Sequence, residues 1–265
     1  MYPWLPEAGL VMIHASTGIG KTLFALSAAW AISTGKPFLR FTSQEAQSVL
    51  YLDGEMPQYL MKLRMAEAHR LAGSPEQSKF RIYCWASTED SAPDLSTAEG
   101  QALVDAVIGD AQVIFIDNLS AFCRTGKENE AESWQITDAW LLKHRRAGRA
   151  IVLIHHDGKN GFQRGTSKRE DKLDTVIQLV PPSIPDKSLT AHFEVHFKKK
   201  RHFWGKDAEP FEAILKAEGW AISEIKDAQY AEARAMKSDG KSYRDIQKAT
   251  GIPKSTLNRH LGGEA

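Results

Sequence analysis

The run Ala15-Ser16-Thr17-Gly18-Ile19-Gly20-Lys21-Thr22 follows the apolar stretch Gly9-Leu-Val-Met-Ile-His14 and precedes a segment, Leu23 to Ser33, with helical patterning. Strand, glycine-containing loop and helix in that order constrain the local fold more than any other feature of the chain. Backbone N–H groups of such a loop and of the helix start converge on an anion. Those of Ser16, Thr17, Gly18, Ile19, Gly20, Lys21, Thr22 and Leu23 are therefore the expected cradle for the phosphates of a nucleoside triphosphate. Lys21 is expected to reach the β and γ oxygens, and the Thr22 hydroxyl to join Mg²⁺. Ala15 stands where the common pattern has glycine, which the backbone tolerates at negative φ; Gly18 and Gly20 keep the permissive positions beside the phosphates.

A chain of 265 residues can hold one large α/β domain and a small appendage. Lys+Arg 34 against Asp+Glu 33 leaves a formal charge of +1, so any basic surface must be local. The two cysteines, Cys84 and Cys123, lack metal spacing and fit a reducing compartment rather than a disulfide scaffold. With no apolar run as long as a membrane span and no secretory signal, the expectation is a soluble, cytoplasmic protein without a membrane partner.

Short apolar runs alternate with longer amphipathic segments from residue 9 to about 155. Val49–Leu52, Phe80–Tyr83, Val113–Ile116 and Ile151–Ile154 read as buried strands, separated by helices near 57–72, 97–109 and 131–147. The fold class expected is α/β, a doubly wound and mostly parallel sheet with helices on both faces. After Pro181, Pro182 and Pro185, a strand pair near 190–201 and 211–223 should extend the sheet with late antiparallel strands. Residues 1–223 form the first expected domain and 224–265 a second, all-α unit. In the latter, Ser242 can cap a helix that Gly251 ends, and a further helix starts beyond Pro253, a helix-turn-helix with Ile246, Ala249, Ile252 and Leu257 inside. Lys254, Ser255, Thr256, Asn258 and Arg259 lie on the outer side of its second helix and suit contacts to duplex DNA.

Four other places carry chemistry. Asp117 closes the strand Val113–Ile116 and is the carboxylate expected to orient Mg²⁺ together with Thr22. Glu55, at the end of Val49-Leu-Tyr-Leu-Asp-Gly-Glu55, is the preferred base for polarising water, with Asp53 its competitor. His155 and His156 close another strand and project to opposite sides, so one of them faces the γ-phosphate. The loop that follows carries Lys159, Arg164, Lys168 and Arg169 among glycines, a composition suited to gripping single-stranded DNA. Lys198-Lys-Lys-Arg201 ends a late strand and could enter a neighbouring subunit's site.

Taken together these motifs resemble the RecA-like ATPase superfamily, and within it the RepA-type hexameric replicative helicases of plasmids and related mobile elements. The resemblance spans about residues 5–222 through the phosphate loop, Leu50-Tyr-Leu-Asp-Gly-Glu55, Ile116-Asp-Asn-Leu119, Leu153-Ile-His-His156 and Arg164-Gly-Thr-Ser167. It implies ATP and Mg²⁺ as cofactors, Glu55 as the catalytic glutamate, Asp117 as the metal-site aspartate and His156 as the nucleotide sensor. It also implies Lys199 and Arg201 as a basic pair acting in trans, with Arg64 at a position where relatives carry arginine. The expected activity is that of a DNA-dependent ring ATPase, a hexameric homo-oligomer with single-stranded DNA in its channel. The alternative is a nucleotide-gated DNA-binding regulator or helicase loader with little turnover. Two departures stand out: RepA-type chains lack a helix-turn-helix tail, and His-Phe-Trp-Gly after Arg201 is less polar than the usual continuation. The few residues before the first strand give no expectation of a primase or assembly domain.

Overall fold

The computed structural model describes residues 1–72, 79–85, 92–124, 131–157, 171–182 and 188–261. Five fully or largely apolar runs become parallel strands: β1 Leu10–Ala15, β2 Val49–Asp53, β3 Phe80–Cys84, β4 Val113–Asp117 and β5 Ala150–His156. Strand β6, Thr175–Val180, adds to β1 in parallel, and β7 Ala191–Lys200, β8 Phe211–Lys216 and β9 Gly219–Glu224 follow antiparallel. The resulting nine-stranded sheet has the order β3-β2-β4-β5-β1-β6-β7-β8-β9. This is a RecA-like α/β fold, mostly parallel with antiparallel strands at one side.

Helices cover both faces, as parallel strands buried on both sides require. On one face lie α1 Lys21–Thr34 and α2 Gln58–Ala72, whose Phe24, Trp30, Met61 and Met65 share a core with Val11, Tyr51, Phe115 and Phe193. On the other, α3 Ala98–Ile108, the short α4 Leu119–Phe122 and α5 Ala131–Arg146 bring Val104, Phe122 and Trp140 against Met12, Leu52 and Leu153. Helix α1 is buried almost all round, which explains its alanines: larger residues would not fit between the sheet and its neighbours. It stops at Gly35, which takes φ 68° and lets Lys36 N–H reach Ala31 O at 2.9 Å, a left-handed helix end that glycine permits.

The segment 211–223, expected as one strand, is a hairpin. The chain reverses at Ala217-Glu218, and Gly219 supplies the φ of +135° that the reversal needs. Helix α6, Ile225–Ser238, leaves β9 directly and packs with α7 Tyr243–Thr250 and α8 Lys254–Leu261 around Ala233, Ile246, Ile252, Leu257 and Leu261. Ser242 caps α7 by accepting the Asp245 N–H, and Gly251 ends it at φ 71°. Ala249, expected inside, is exposed, and Thr250 is buried in its place. The inward stripe of α7 runs Ile246 to Thr250, four residues apart, and Thr250 satisfies its hydroxyl by donating to Ile246 O at 2.7 Å.

Candidate nucleotide site

A cleft of about 420 Å³ opens at the carboxyl ends of the parallel strands, walled by the phosphate loop, the β2–α2 turn, Asp117, Asn118 and His156. This is where open α/β sheets place ligands, because the loops after parallel strands converge there. Gly18 and Gly20 hold φ of +84° and +108°, and a Cβ on Gly20 would come within 2.9 Å of Ala191 Cβ. Both conformation and space therefore demand glycine at position 20. Helix α1 starts at Lys21 with no side-chain cap, so its first N–H groups remain available to an anion.

Lys21 is buried and folds onto its own loop, donating to Ala15 O at 2.9 Å and Ser16 O at 2.7 Å. Burial draws its pKa down while Asp117, Asp157 and Glu55 push it up. Across the cleft, Asp117 Oδ2 accepts from Thr22 Oγ1 at 2.9 Å and from Tyr51 Oη at 2.6 Å. Burial raises the Asp117 pKa against the opposing effect of those two donors.

The β2–α2 turn separates the roles of two carboxylates. Asp53 is buried and accepts the N–H groups of Met56 at 2.6 Å and Glu55 at 3.2 Å, so its oxygens are engaged by the turn itself. Glu55 is exposed and lines the cleft. Arg64 lines it too, one helical turn beyond Leu60 on α2.

His155 and His156 part as period-two geometry requires: His155 is wholly buried, whereas His156 reaches the cleft, where Asn118 Nδ2 donates to its Nε2 at 3.0 Å. Just beyond, Asp157 N–H donates to Ala15 O at 2.9 Å and its carboxylate meets His14 Nδ1 at 2.6 Å.

Arg201 lies elsewhere. Strand β7 runs antiparallel, and Lys200 pairs with Thr175, itself opposite Val11 near the start of β1. Arg201 thus sits at the far end of the sheet from its own phosphate loop, donating its backbone N–H to Asp174 O at 3.0 Å and its guanidinium to Asp171 O. Lys199 Nζ donates to the same carbonyl at 3.2 Å. Lys159, Arg164, Lys168 and Arg169 lie outside the described residues, as does the side chain of Arg259. On α8, Lys254, Ser255 and Asn258 are exposed and Thr256 is half-buried.

Three contacts escaped the sequence reading: Tyr51 to Asp117, Asn118 to His156, and His14 to Asp157. Each depends on strand register. Tyr51 sits opposite Phe115, two residues before the Asp53–Asp117 pair, so it shares a face with Asp117. His14 sits opposite His155, which brings Asp157 just past it.

A buried ammonium on a glycine loop, a hydroxyl and a carboxylate sharing one hydrogen bond, and a carboxylate on the facing turn define a RecA-like P-loop ATPase. Residues 1–161 match the family described as AAA domain, and the chain belongs to that family. Among solved structures it is similar to the flagellar accessory protein FlaH from Methanocaldococcus jannaschii, at 11% identity over 83% of this chain and 91% of that one, TM-score 0.56. It is also similar to a KaiC-like protein from the hyperthermophilic archaeon Pyrococcus horikoshii, at 16% identity over 83% and 91%, TM-score 0.54. No curated protein sequence matches the chain significantly. No helix among the described residues is long and apolar enough to cross a membrane.

The residues present fit a magnesium nucleotide. Asp53, Glu55 and Asp117 crowd one cleft against Lys21, an excess of negative charge that a divalent cation would relieve. Thr22 and Asp117 supply the oxygen donors that a hard cation takes.

Proposed function

We infer that the protein is a Mg-ATP-hydrolysing, DNA-dependent ATPase that acts as a ring, and that it serves as a replicative helicase of a plasmid or other mobile element. The observation that carries this reading is the split of the apparatus. Lys21, Thr22, Glu55, Asp117 and His156 share one cleft, while Lys199 and Arg201 lie at the opposite end of the sheet. A basic pair so placed can serve only a neighbour's nucleotide, and a repeated head-to-tail contact closes into a ring.

In this mechanism Lys21 leaves the carbonyls of Ala15 and Ser16 to hold the β and γ oxygens of ATP. Thr22 and Asp117 hold Mg²⁺, which when bound neutralises charge on those oxygens. Glu55 takes a proton from water as its oxygen attacks the γ-phosphorus in line, and the bond to the ADP oxygen breaks. His156, oriented by Asn118, hydrogen-bonds the γ-phosphate. Arg201 of the next protomer stabilises charge on the transferring group, a role worth roughly 10³-fold or more in rate.

Lys159, Arg164, Lys168 and Arg169 follow the sensor strand in sequence and supply the cations for a single strand in the channel. Residues 224–265 act as a helix-turn-helix domain on duplex DNA through Lys254, Ser255, Thr256, Asn258 and Arg259. The separate core of α6–α8 also favours a second reading, a nucleotide-gated regulator or loader whose tail finds a duplex site.

ATP hydrolysis with and without single-stranded DNA, alongside sedimentation in Mg-ATP and strand displacement on a forked duplex, tests the choice. A motor assembles, accelerates with single strands and displaces the strand. A regulator shows little turnover and binds one duplex sequence. No hydrolysis and no assembly under any condition would defeat the ring reading.

A further inference from the structure

Two exposed apolar surfaces lie at the two places that a ring contact must join. Trp204 is 79% exposed, three residues after Arg201. Its neighbour Phe203 is buried and packs edge-on to Phe197, ring centroids 5.0 Å apart, so the indole is presented from an anchored backbone. On α2, Tyr59 and Leu63 are 65% and 63% exposed and, four residues apart, form one stripe. Leu60 beside them is also exposed, and it lines the nucleotide cleft together with Arg64.

We propose that Trp204 of one protomer seats on the Tyr59–Leu60–Leu63 surface of the next, and that this contact carries Lys199 and Arg201 to the mouth of the neighbour's nucleotide cleft. It rests on the ring reading and says which surfaces make the ring. The occupant is a second copy because each half of the contact lies beside half of the catalytic apparatus.

Charge complements the apolar anchor. The strip arriving with Trp204 carries Lys198, Lys199, Lys200 and Arg201, and the receiving cleft carries Asp53, Glu55 and Asp117 with the phosphates of bound nucleotide. Reach agrees as well: three extended residues from Arg201 to Trp204 span roughly 10 Å. Five helical residues from Gln58 to Leu63 span roughly 8 Å along α2. A tryptophan entering an apolar surface at the centre of a polar rim is the commonest form of a binding hot spot. It also explains the less polar sequence after Arg201, where an aromatic side chain remains uncovered within its own chain.

The test uses full-length protein with Cys84→Ser and Cys123→Ser, to which Lys206→Cys is added in one preparation and Lys62→Cys in another. Both lysines are exposed neighbours of the proposed contact, so the anchors themselves are untouched. With Mg-ATP and a short thiol–thiol cross-linker, the mixture should give a covalent dimer and a chain carrying both cysteines a ladder of higher species. Trp204→Ala should raise the concentration needed for assembly at least tenfold and reduce turnover, leaving fluorescent-nucleotide binding by the protomer intact; Trp204→Phe should restore most assembly. If the wild type assembles but the mixture yields no dimer, or Trp204→Ala assembles normally, the surfaces are misassigned and the ring stands. If the wild type stays monomeric at every Mg-ATP concentration, ring and proposal fall together.

Discussion

Asp53→Asn should stabilise the nucleotide-free protein, by an amount that grows with pH. Asp53 is 3% exposed, and burial, reinforced by Asp117 and Glu55, raises its pKa from 3.8 to about 7 despite the N–H donors of Met56 and Glu55. The folded protein therefore holds this proton more tightly than the unfolded chain. Its contribution to stability is fully present below about 3.8 and is lost as pH rises through about 7. At about 1.4 kcal/mol per pH unit, ionised Asp53 costs at most about 4 kcal/mol at pH 8, of which about 2 kcal/mol develops between pH 5 and 7. Asparagine retains the oxygen that Met56 and Glu55 donate to and carries no charge, so the variant should avoid that cost. Urea titrations of both proteins at pH 5, 7 and 8 measure the difference directly. A stability gain that stays flat or shrinks across that range refutes the reasoning. Hydrolysis supplies a second readout, because the oxygens of Asp53 are engaged by its own turn. Asp53→Asn should keep turnover within about tenfold of wild type while Glu55→Gln loses on the order of 10²–10⁴-fold. Equal losses would transfer the base to Asp53.

Lys21→Ala should abolish hydrolysis, and Glu55→Gln should leave ATP bound but uncleaved, as read by single-turnover assays and fluorescent-nucleotide binding; normal turnover in Glu55→Gln would falsify its role as base. Tyr51→Phe removes one of two donors to the buried Asp117 oxygen and should cost roughly 1.5–3 kcal/mol in a urea titration, with a higher Mg²⁺ requirement for nucleotide binding. An unchanged Mg²⁺ requirement would confine Tyr51 to packing. Deleting residues 228–265 should weaken duplex-DNA binding in a mobility-shift assay and spare basal hydrolysis. Ile246→Ala, which empties the centre of the α6–α8 core, should destabilise the tail by roughly 2–5 kcal/mol and weaken duplex binding in the same way; full duplex affinity in both variants would remove the tail from DNA recognition.

What could be read from the chain divides along a physical line. Val113-Ile-Phe-Ile116 and Ile151-Val-Leu-Ile154 are buried on both faces, so continuous apolarity marks them without any knowledge of their partners. The loop at Gly18 and Gly20 is equally legible because its backbone conformation restricts the residue type. The hairpin between Lys216 and Gly219 was not, since Ala217-Glu218 lacks the turn residues that announce a reversal. Likewise Ala249 is apolar and near the inward stripe, yet Thr250 is four residues from Ile246 and can return its hydroxyl to the helix backbone. Tyr51 and His14 looked like ordinary strand residues. Their partners are set by strands distant in sequence, and only the sheet's register reveals that both point toward charged groups at the cleft.

Register also explains how one cleft can both sense a phosphate and act on what lies beyond it. Strands β1 and β5 are neighbours, and their ends are joined twice by Asp157, through its N–H to Ala15 O and its carboxylate to His14. His156, the residue just before, faces the cleft and is braced by Asn118. Movement of His156 on loss of the γ-phosphate therefore reaches Asp157 within one peptide unit. Asp157 in turn leads directly into the stretch of sequence that carries Lys159, Arg164, Lys168 and Arg169. The shortest mechanical route from nucleotide to those cations is thus a single strand end clamped to the phosphate loop. Asp157→Asn keeps an oxygen near His14 but removes the charge, so on this route it should lessen the stimulation of hydrolysis by single-stranded DNA more than it lessens basal turnover. Equal losses in both would make the clamp a matter of stability alone.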